Sequence, residues 1–234
     1  VVAETFTQAR DAAERLEVDY SPLEPIIDTD VASSKTAPVI WPDHGTNVGI
    51  DADVNDPAET VRLLRDADHV ISLKTRLTRV SGVAMEPRSS LGEYDAEGRY
   101  TLQTTAGSIY RYKRELAQLL CEDEENVRIV IRDAGGSYGP RNALYVEHAL
   151  VLWASKRLRR PVKWTSDRTE SMLTDYQARD LVIDAAIGFD ADGRITALHT
   201  HNTSNIGAHS ASWIPLVKGI EITTVLYKIP SASA

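Results

Sequence analysis

Two predicted β-hairpins constrain the fold of this 234-residue chain more than any other feature of its sequence. The segments 93–104 and 188–200 each have the order strand, Asp-x-x-Gly turn, strand. Glycine supplies the positive φ that such a turn requires, and aspartate can bond the backbone of its own turn. Apolar periodicity predicts helices over 108–120 and from about 142 to 158. Hairpins mixed with helices, rather than strict alternation of strand and helix, predict an α+β fold.

Other elements have weaker signals. An amphipathic helix is expected over 7–17, and Asp56-Pro57-Ala58-Glu59 has the pattern of a capped helix start, with the helix reaching about Ala67. Strands are predicted over 69–80, 127–132, 161–165 and 223–229. The stretch 22–48, rich in Pro, Ser, Thr and Asp, is predicted to be an extended linker or a crossover that follows the protein surface.

Composition excludes several classes of protein. The net charge is -8, and no stripe of Lys and Arg alternates with aromatic residues, which argues against a nucleic-acid partner. No run approaches the roughly 18 apolar residues that a membrane span needs. Cys121 is the single cysteine, so the chain cannot form an internal disulfide, a structural zinc site or a four-thiolate iron–sulfur cluster by itself. The chain lacks an initial Met, and we expect it to be either a fragment of a longer subunit or the product of a shortened or decayed relative.

The loop 133–142, DAGGSYGPRN, is the stretch best suited to chemistry. It leaves a predicted strand and enters a predicted helix, and its glycines allow the backbone to approach a ligand closely. Successive N–H groups before a helix favour an anion. A tight strand-to-helix turn without a ligand is the structural alternative.

Three motifs can be tested on this loop. It lacks the third glycine of the dinucleotide fingerprint and the Gly-Lys pair of a P-loop. GGSYG does satisfy G-x-S-x-G, with Ser137 in the position of a hydrolase nucleophile. The acid and histidine of such a triad would come from Asp167, Asp175 or Asp180 and from His199, His201 or His209.

Taken together, the segments resemble the molybdopterin-binding large subunit of the xanthine dehydrogenase, aerobic carbon monoxide dehydrogenase and aldehyde oxidase family. The matching stretches are VVAETFTQARDAAERLEVDYSPLEPIID (1–28), RVSGVAMEPRSSLGEYD (79–95), VRIVIRDAGGSYGPRNALYVEHALVLWASKRLRRPVKWTSDRTESMLTDYQARD (127–180) and NTSNIGAHSASWIPLVKGIE (202–221). The order and spacing of these stretches agree with the family pattern, and GGSYG resembles its GGxFG loop.

The resemblance implies a division of the chain. Residues 1–28 would be the end of a hammerhead domain, 29–56 a linker, and 57–234 the first part of a molybdopterin-binding domain. It also implies hydroxylation of an aldehyde, an N-heterocycle or carbon monoxide at a molybdenum–molybdopterin cofactor, in its mononucleotide or cytosine dinucleotide form. Electrons would pass to an iron–sulfur small subunit and an FAD-binding medium subunit, in a cytoplasmic dimer of heterotrimers.

The resemblance also implies site residues. The cofactor-binding candidates are Gly135, Gly136, Ser137, Tyr138, Gly139 and Gly107. Gly107 stands where relatives usually carry a glutamine, and the general-base glutamate of the family would lie beyond residue 234. Met85, Glu86 and Arg88 match a family segment without an assigned role, and an internal ion pair is their structural interpretation. A serine hydrolase and a non-catalytic structural fragment are the alternative functions.

Overall fold

The chain forms two compact units. The computed structural model describes residues 1–210, 216, 224 and 226–234. The first unit comprises 1–22 and 81–177, and the second comprises 23–80 and 178–234. Each unit is therefore assembled from two separate stretches of chain.

Helices and short strands alternate irregularly along the described residues, and this confirms the predicted mixture of helices and hairpins. The helices are α1 (Phe6–Ala13), α2 (Thr29–Ala32), α3 (Pro57–Asp66), α4 (Ile109–Leu120), α5 (Val146–Leu158) and α6 (Arg168–Thr174). Short 3-10 turns lie at Pro42–His44, Glu124–Asn126 and Pro140–Asn142. The strands are β1 (His69–Leu77), β2 (Val80–Ser81), β3 (Ser89–Tyr94), β4 (Tyr100–Thr104), β5 (Val127–Val130), β6 (Val162–Thr165), β7 (Gln177–Ala178), β8 (Leu181–Phe189), β9 (Ile195–Ser204) and β10 (Ser231–Ser233). Within the described part of the chain, none of the helices has the length and apolar character needed to span a membrane.

The first unit is built on a four-stranded sheet in the order β5-β4-β3-β6. Strand β3 runs antiparallel to β4 and β6, whereas β4 and β5 are parallel. The β3–β4 hairpin turns at Gly98, whose φ is +85°, as the Asp-x-x-Gly pattern predicts. Helices α4 and α5 contact the sheet. The core between these elements contains the fully buried Leu102, Tyr112, Leu116 and Leu152.

Gly92 in β3 allows α5 to pass close to the sheet. A Cβ atom at this position would lie 2.7 Å from the carbonyl carbon and oxygen of Val151 in α5. No side chain larger than hydrogen fits there without a backbone shift, so this glycine sets the distance between helix and sheet.

The second unit contains a sheet in the order β1-β8-β9-β10. Its first three strands are antiparallel, and β10 is parallel to β9. Helix α3 contacts this sheet. As predicted, Asp56 caps α3, because its carboxylate accepts the Glu59 N–H at 3.0 Å. At Gly188 the space that a Cβ atom would occupy is bounded by Leu64 and Ala67, so the glycine lets helix and strand approach.

The predicted helix 142–158 begins later than expected. Pro140–Asn142 forms a separate 3-10 turn, and Tyr145 has an extended backbone with ψ of 155°, so α5 starts at Val146. The apolar residues that predict this helix would suit a largely buried element, but one face of it is exposed. Val146 is 70% exposed, and Leu150 and Trp153 are each 52% exposed, because this face points away from the sheet.

Two further predictions concern the ends of the chain. Helix α1 is shorter than the predicted 7–17, and Arg10 and Glu14, four residues apart, form an ion pair at 3.5 Å. The strand predicted over 223–229 is wrong for its described residues, since the strand lies at Ser231–Ser233, where it pairs with β9. Part of the matching stretch 202–221 lies outside the described residues.

Candidate functional site

The glycine-rich loop, residues 133–139, connects β5 to the 3-10 turn in the first unit. Gly136 and Gly139 have φ angles of +120° and +103°, and Tyr138 has a φ of +49°. Such angles favour glycine, and a tyrosine there carries a conformational cost. Tyr138 is 76% exposed, so its ring stands out from the loop.

Glu86 holds the start of this loop. Its Oε2 accepts the Gly135 N–H at 2.7 Å, and its two carboxylate oxygens lie 2.7 and 2.8 Å from the Thr105 hydroxyl, which donates to them. A Cβ atom at Gly135 would lie 2.4 Å from the Cβ of Glu86, so only glycine fits at this approach. The two segments are therefore in direct contact, with a charge-assisted hydrogen bond between them.

Two arginines hold the backbone of residues 84–86. Arg168 donates to the carbonyls of Ala84 and Met85 at 2.7 and 2.8 Å. Arg141 donates to the carbonyl of Glu86 at 2.9 Å. Arg141 follows the glycine-rich loop by two residues, so it links the end of the loop to the segment 84–86. Glu86 links the start of the loop to the same segment.

A buried cluster of charges lies behind this segment. The Arg88 guanidinium lies 2.8 Å from both Glu147 and Asp175, and Arg141 lies 3.4 Å from Asp175. Burial raises the pKa of the Glu147 carboxyl. Arg88 also stacks on the Tyr145 ring at 3.9 Å from its centroid. The internal ion pair expected for Arg88 is present, and it joins the residue before β3 to α5 and to the residue after α6.

His148 in α5 lies beside this cluster. It is 2% exposed, and its Nδ1 accepts the Tyr145 N–H at 3.1 Å. Burial, together with the charges of Arg88 and Arg141, lowers the pKa of His148 to about 3. The histidine is therefore neutral at physiological pH and serves as an acceptor within the core.

Gly107 contacts the residues that directly follow the loop. Its N–H donates to the Arg141 carbonyl at 2.7 Å. A Cβ atom at Gly107 would lie 1.7 Å from Oδ1 of Asn142, so the Asn142 carboxamide occupies the space that a side chain at 107 would need. The structure thus brings Gly107 together with the loop residues named from the sequence.

The sequence matches the family described as "Molybdopterin cofactor-binding domain" over residues 42–234. The chain belongs to this family.

Two curated relatives illustrate the match. The chain is 31% identical over 229 residues to the 6-hydroxypseudooxynicotine dehydrogenase complex subunit gamma of Paenarthrobacter nicotinovorans, which covers 97% of this chain and 28% of the relative. It is 29% identical to the carbon monoxide dehydrogenase large chain of Hydrogenophaga pseudoflava, covering 90% of this chain and 28% of the relative. The chain therefore spans less than a third of the length of these relatives.

A solved structure shares the fold of this chain. The Cu,Mo-CO dehydrogenase in its carbon monoxide reduced state superposes with a TM-score of 0.87 and 26% identity. The likeness covers 97% of this chain and 31% of that one.

The loop of this molybdopterin cofactor-binding domain fits an oxygen-rich anionic group. The Gly135 N–H is bonded to Glu86, whereas the N–H groups of residues 136–139 donate to no described residue. A Cβ atom at Gly139 would meet nothing within 4 Å, so this side of the loop is open. Free amide donors on an exposed loop bind phosphate and oxo groups, which a molybdopterin cofactor carries.

No hydrogen bond between described residues joins the serine motif of this molybdopterin cofactor-binding domain to an acid or a histidine. The Ser137 hydroxyl makes no hydrogen bond with a described residue. Asp175 is bound by two arginines, and Asp167 accepts the Glu170 N–H as a helix cap. In the second unit, Asp180 is bound by Arg76, Arg79 and Asn205, and His199 bonds Ser233. Each of these groups already has another role.

Sequence reasoning missed three residues that shape the loop: Glu86, Thr105 and Arg141. Glu86 stood in a segment that matched the family, but no role followed from the pattern. The one available signal was that Glu86 stands next to a proline in that segment. This signal does not indicate that Glu86 contacts Gly135, which lies 49 positions later.

Proposed function

We propose that this chain is part of the large subunit of a molybdenum hydroxylase and that residues 135–139, with Gly107, face its molybdopterin cofactor. The supporting observation is that the N–H groups of residues 136–139 donate to none of the residues that the structure describes, in a chain that belongs to the molybdopterin cofactor-binding domain family. Activity would require the remainder of the subunit, including a general-base glutamate beyond residue 234.

The residues of this chain would bind the cofactor and orient the substrate. The amides of 136–139 would donate to anionic oxygen atoms, and the exposed ring of Tyr138 would form a wall that limits access of water and the pose of the substrate. When bound, a molybdenum–molybdopterin cofactor supplies the redox chemistry that places a water-derived oxygen on a substrate carbon. The contacts of Glu86 with Gly135 and with Arg141 would hold both ends of the loop in place for this role.

The finer features of the proposal rest on the family resemblance. Residues 1–28 would be the end of a hammerhead domain and 29–56 a linker to the molybdopterin-binding domain at 57–234. The substrate would be an aldehyde, an N-heterocycle or carbon monoxide, and the cofactor could carry the cytosine dinucleotide. An iron–sulfur small subunit and an FAD-binding medium subunit would receive the electrons in a cytoplasmic dimer of heterotrimers.

Metal and pterin analysis of the intact subunit, purified with its neighbouring chains, tests this function. We expect molybdenum and pterin in stoichiometric amounts in the wild-type protein. The Gly136→Val variant should retain only a small fraction, because a side chain at φ +120° would also meet the Tyr138 ring at 2.8 Å. Gly193→Ala is the matched control, since Gly193 is a hairpin glycine with a φ of +78° and open surroundings.

Two results would contradict the proposal. A wild-type subunit free of molybdenum and pterin, under conditions that load a relative, would indicate a non-catalytic fragment. Covalent labelling by a fluorophosphonate that disappears in the Ser137→Ala variant would instead indicate a serine hydrolase.

A further inference from the structure

We infer that Glu86 is a positioning residue for the glycine-rich loop. Its carboxylate takes the Gly135 N–H and thereby leaves the N–H groups of 136–139 as the donors that the loop presents. This inference rests on the proposed function for its purpose, while the contact itself can be tested without the cofactor.

The contacts of Glu86 converge from three segments. Its carboxylate accepts from Gly135 at 2.7 Å and from the Thr105 hydroxyl at 2.7 and 2.8 Å. Its N–H donates to the Gly135 carbonyl at 3.4 Å, and its own carbonyl accepts from Arg141 at 2.9 Å. Main chain and side chain of one residue therefore fix both the entry and the exit of the loop.

Thr105 orients the carboxylate. This residue is 7% exposed, and its hydroxyl lies nearly equidistant from both oxygens of Glu86. The carboxylate is therefore held from one side by a buried donor while Gly135 donates from another. A carboxylate with two donors is a stronger and better defined acceptor than a freely rotating one.

This role differs from support of the core. Glu86 is only partly buried, and it is not a member of the hydrophobic cluster around Leu102 and Leu152. It makes no ion pair with a described residue, because the buried charges behind it pair with one another: Arg88 with Glu147 and Asp175, and Arg141 with Asp175. Its polar contacts are directed at the loop and at the residues that hold the loop.

Hydrogen–deuterium exchange of the cofactor-free intact subunit tests the contact. The Gly135 amide should exchange at least roughly tenfold faster in Glu86→Ala than in wild type, because a hydrogen bond to a charged acceptor is lost. Glu86→Gln should restore most of the protection, since its carbonyl oxygen can accept from Gly135 while its NH₂ donates to the Thr105 oxygen. Glu93→Ala is the matched control, because Glu93 on β3 makes no side-chain hydrogen bond or ion pair with a described residue.

Cofactor content provides the second readout. Glu86→Ala should lose molybdenum and pterin relative to wild type, whereas Glu86→Gln and Glu93→Ala should retain them. Equal exchange at Gly135 in Glu86→Ala and wild type would overturn the inference. Equal loss of Gly135 protection in Glu86→Ala and Glu86→Gln would also overturn it, because a side-chain oxygen at 86 that accepts the Gly135 N–H would then have no effect on exchange.

The exchange experiment still gives an answer if Glu86→Ala does not fold or if the subunit contains no molybdenum. If Glu86→Ala does not fold, Thr105→Val replaces it, and exchange at Gly135 should rise by roughly threefold because the carboxylate loses its orienting donor; an unchanged rate would refute the inference. If the wild-type subunit contains no molybdenum, the proposed function fails while the exchange experiment still decides the role of Glu86.

Discussion

Gly92 is the residue at which β3 and α5 come closest. The Gly92→Ala variant should lower the free energy of unfolding by about 1–3 kcal/mol, because its Cβ would meet the Val151 backbone at 2.7 Å and force a shift. Urea unfolding of the purified protein measures this change. Gly193→Asn is the control, since its surroundings are open and asparagine tolerates a positive φ, and an equal loss in both variants would rule out the steric explanation.

His148 makes stability depend on pH. Its pKa is about 3 in the folded protein and about 6.5 when unfolded, so the folded state binds fewer protons and its stability falls as the pH drops below 6.5. The difference in unfolding free energy between wild type and His148→Asn should shrink by about 2–3 kcal/mol between pH 7 and pH 4.5. Urea titrations at several pH values measure it.

The same titrations contain their own control. Between pH 7 and pH 8 the difference between wild type and His148→Asn should change by less than about 0.3 kcal/mol, because the imidazole is uncharged in the folded state and mostly uncharged in the unfolded state there. A difference that does not change between pH 7 and pH 4.5 would show that the imidazole is solvated in the folded protein.

At the residue scale, sequence reasoning found local features and missed distant contacts. The turn glycines Gly98 and Gly193 follow from a pattern within one hairpin, and the structure has both with positive φ. The requirement for glycine at 135 arises from Glu86, far away in the sequence, and no local propensity encodes it. The assignment of 135–139 and Gly107 to a cofactor stays a prediction.

Asp56 governs the start of α3, the helix that contacts the sheet of the second unit. The Asp56→Ala variant should lose about 0.5–2 kcal/mol of unfolding free energy, because the Glu59 N–H loses its acceptor. Thermal unfolding followed by circular dichroism measures this loss. Asp56→Asn should stay near wild type, since asparagine also caps helices.

Asp53 supplies the control for this helix. It lies three residues before Asp56 and makes no side-chain hydrogen bond or ion pair with a described residue. Asp53→Ala should therefore leave the unfolding temperature unchanged. A similar loss in Asp53→Ala and Asp56→Ala would assign the effect to net charge instead of capping.

The elements with a capping signal were predicted best. Asp56-Pro57 marks the start of α3 within one residue of its observed position, and Ser108 caps α4 where the predicted helix begins. The start of α5 was missed because Tyr145 is not a typical capping residue and because Ala143 and Leu144, which precede it, extend the apolar pattern of the helix. Its exposed face could not be identified from periodicity, since apolar residues surround the helix.

The buried charge cluster joins segments from across the first unit. The Asp175→Ala variant should lose about 3–5 kcal/mol of unfolding free energy, because Arg88 and Arg141 would keep buried charges without this partner. Denaturant unfolding measures the loss. Asp66→Asn is the control, since the exposed Arg62–Asp66 pair should contribute less than about 1 kcal/mol.

At the scale of the whole molecule, the sequence predicted the mixture of helices and hairpins but not its division. Each unit combines an early and a late stretch of chain, 1–22 with 81–177 and 23–80 with 178–234. Composition shifts indicate boundaries along the chain and carry no information on which distant stretches pack together. The linear division 1–28, 29–56 and 57–234 accordingly stays a prediction.

The contact between Gly107 and Asn142 constrains how sequences of this kind can change over time. A β-carbon at 107 and the present carboxamide of Asn142 would stand 1.7 Å apart, so the carboxamide has to rotate away or be replaced before a longer residue is accepted at 107. In descent or in laboratory evolution, a residue larger than glycine at 107 therefore depends on what position 142 does. A library that varies 107 and 142 together should yield more folded variants with a larger residue at 107 than a library that varies 107 alone.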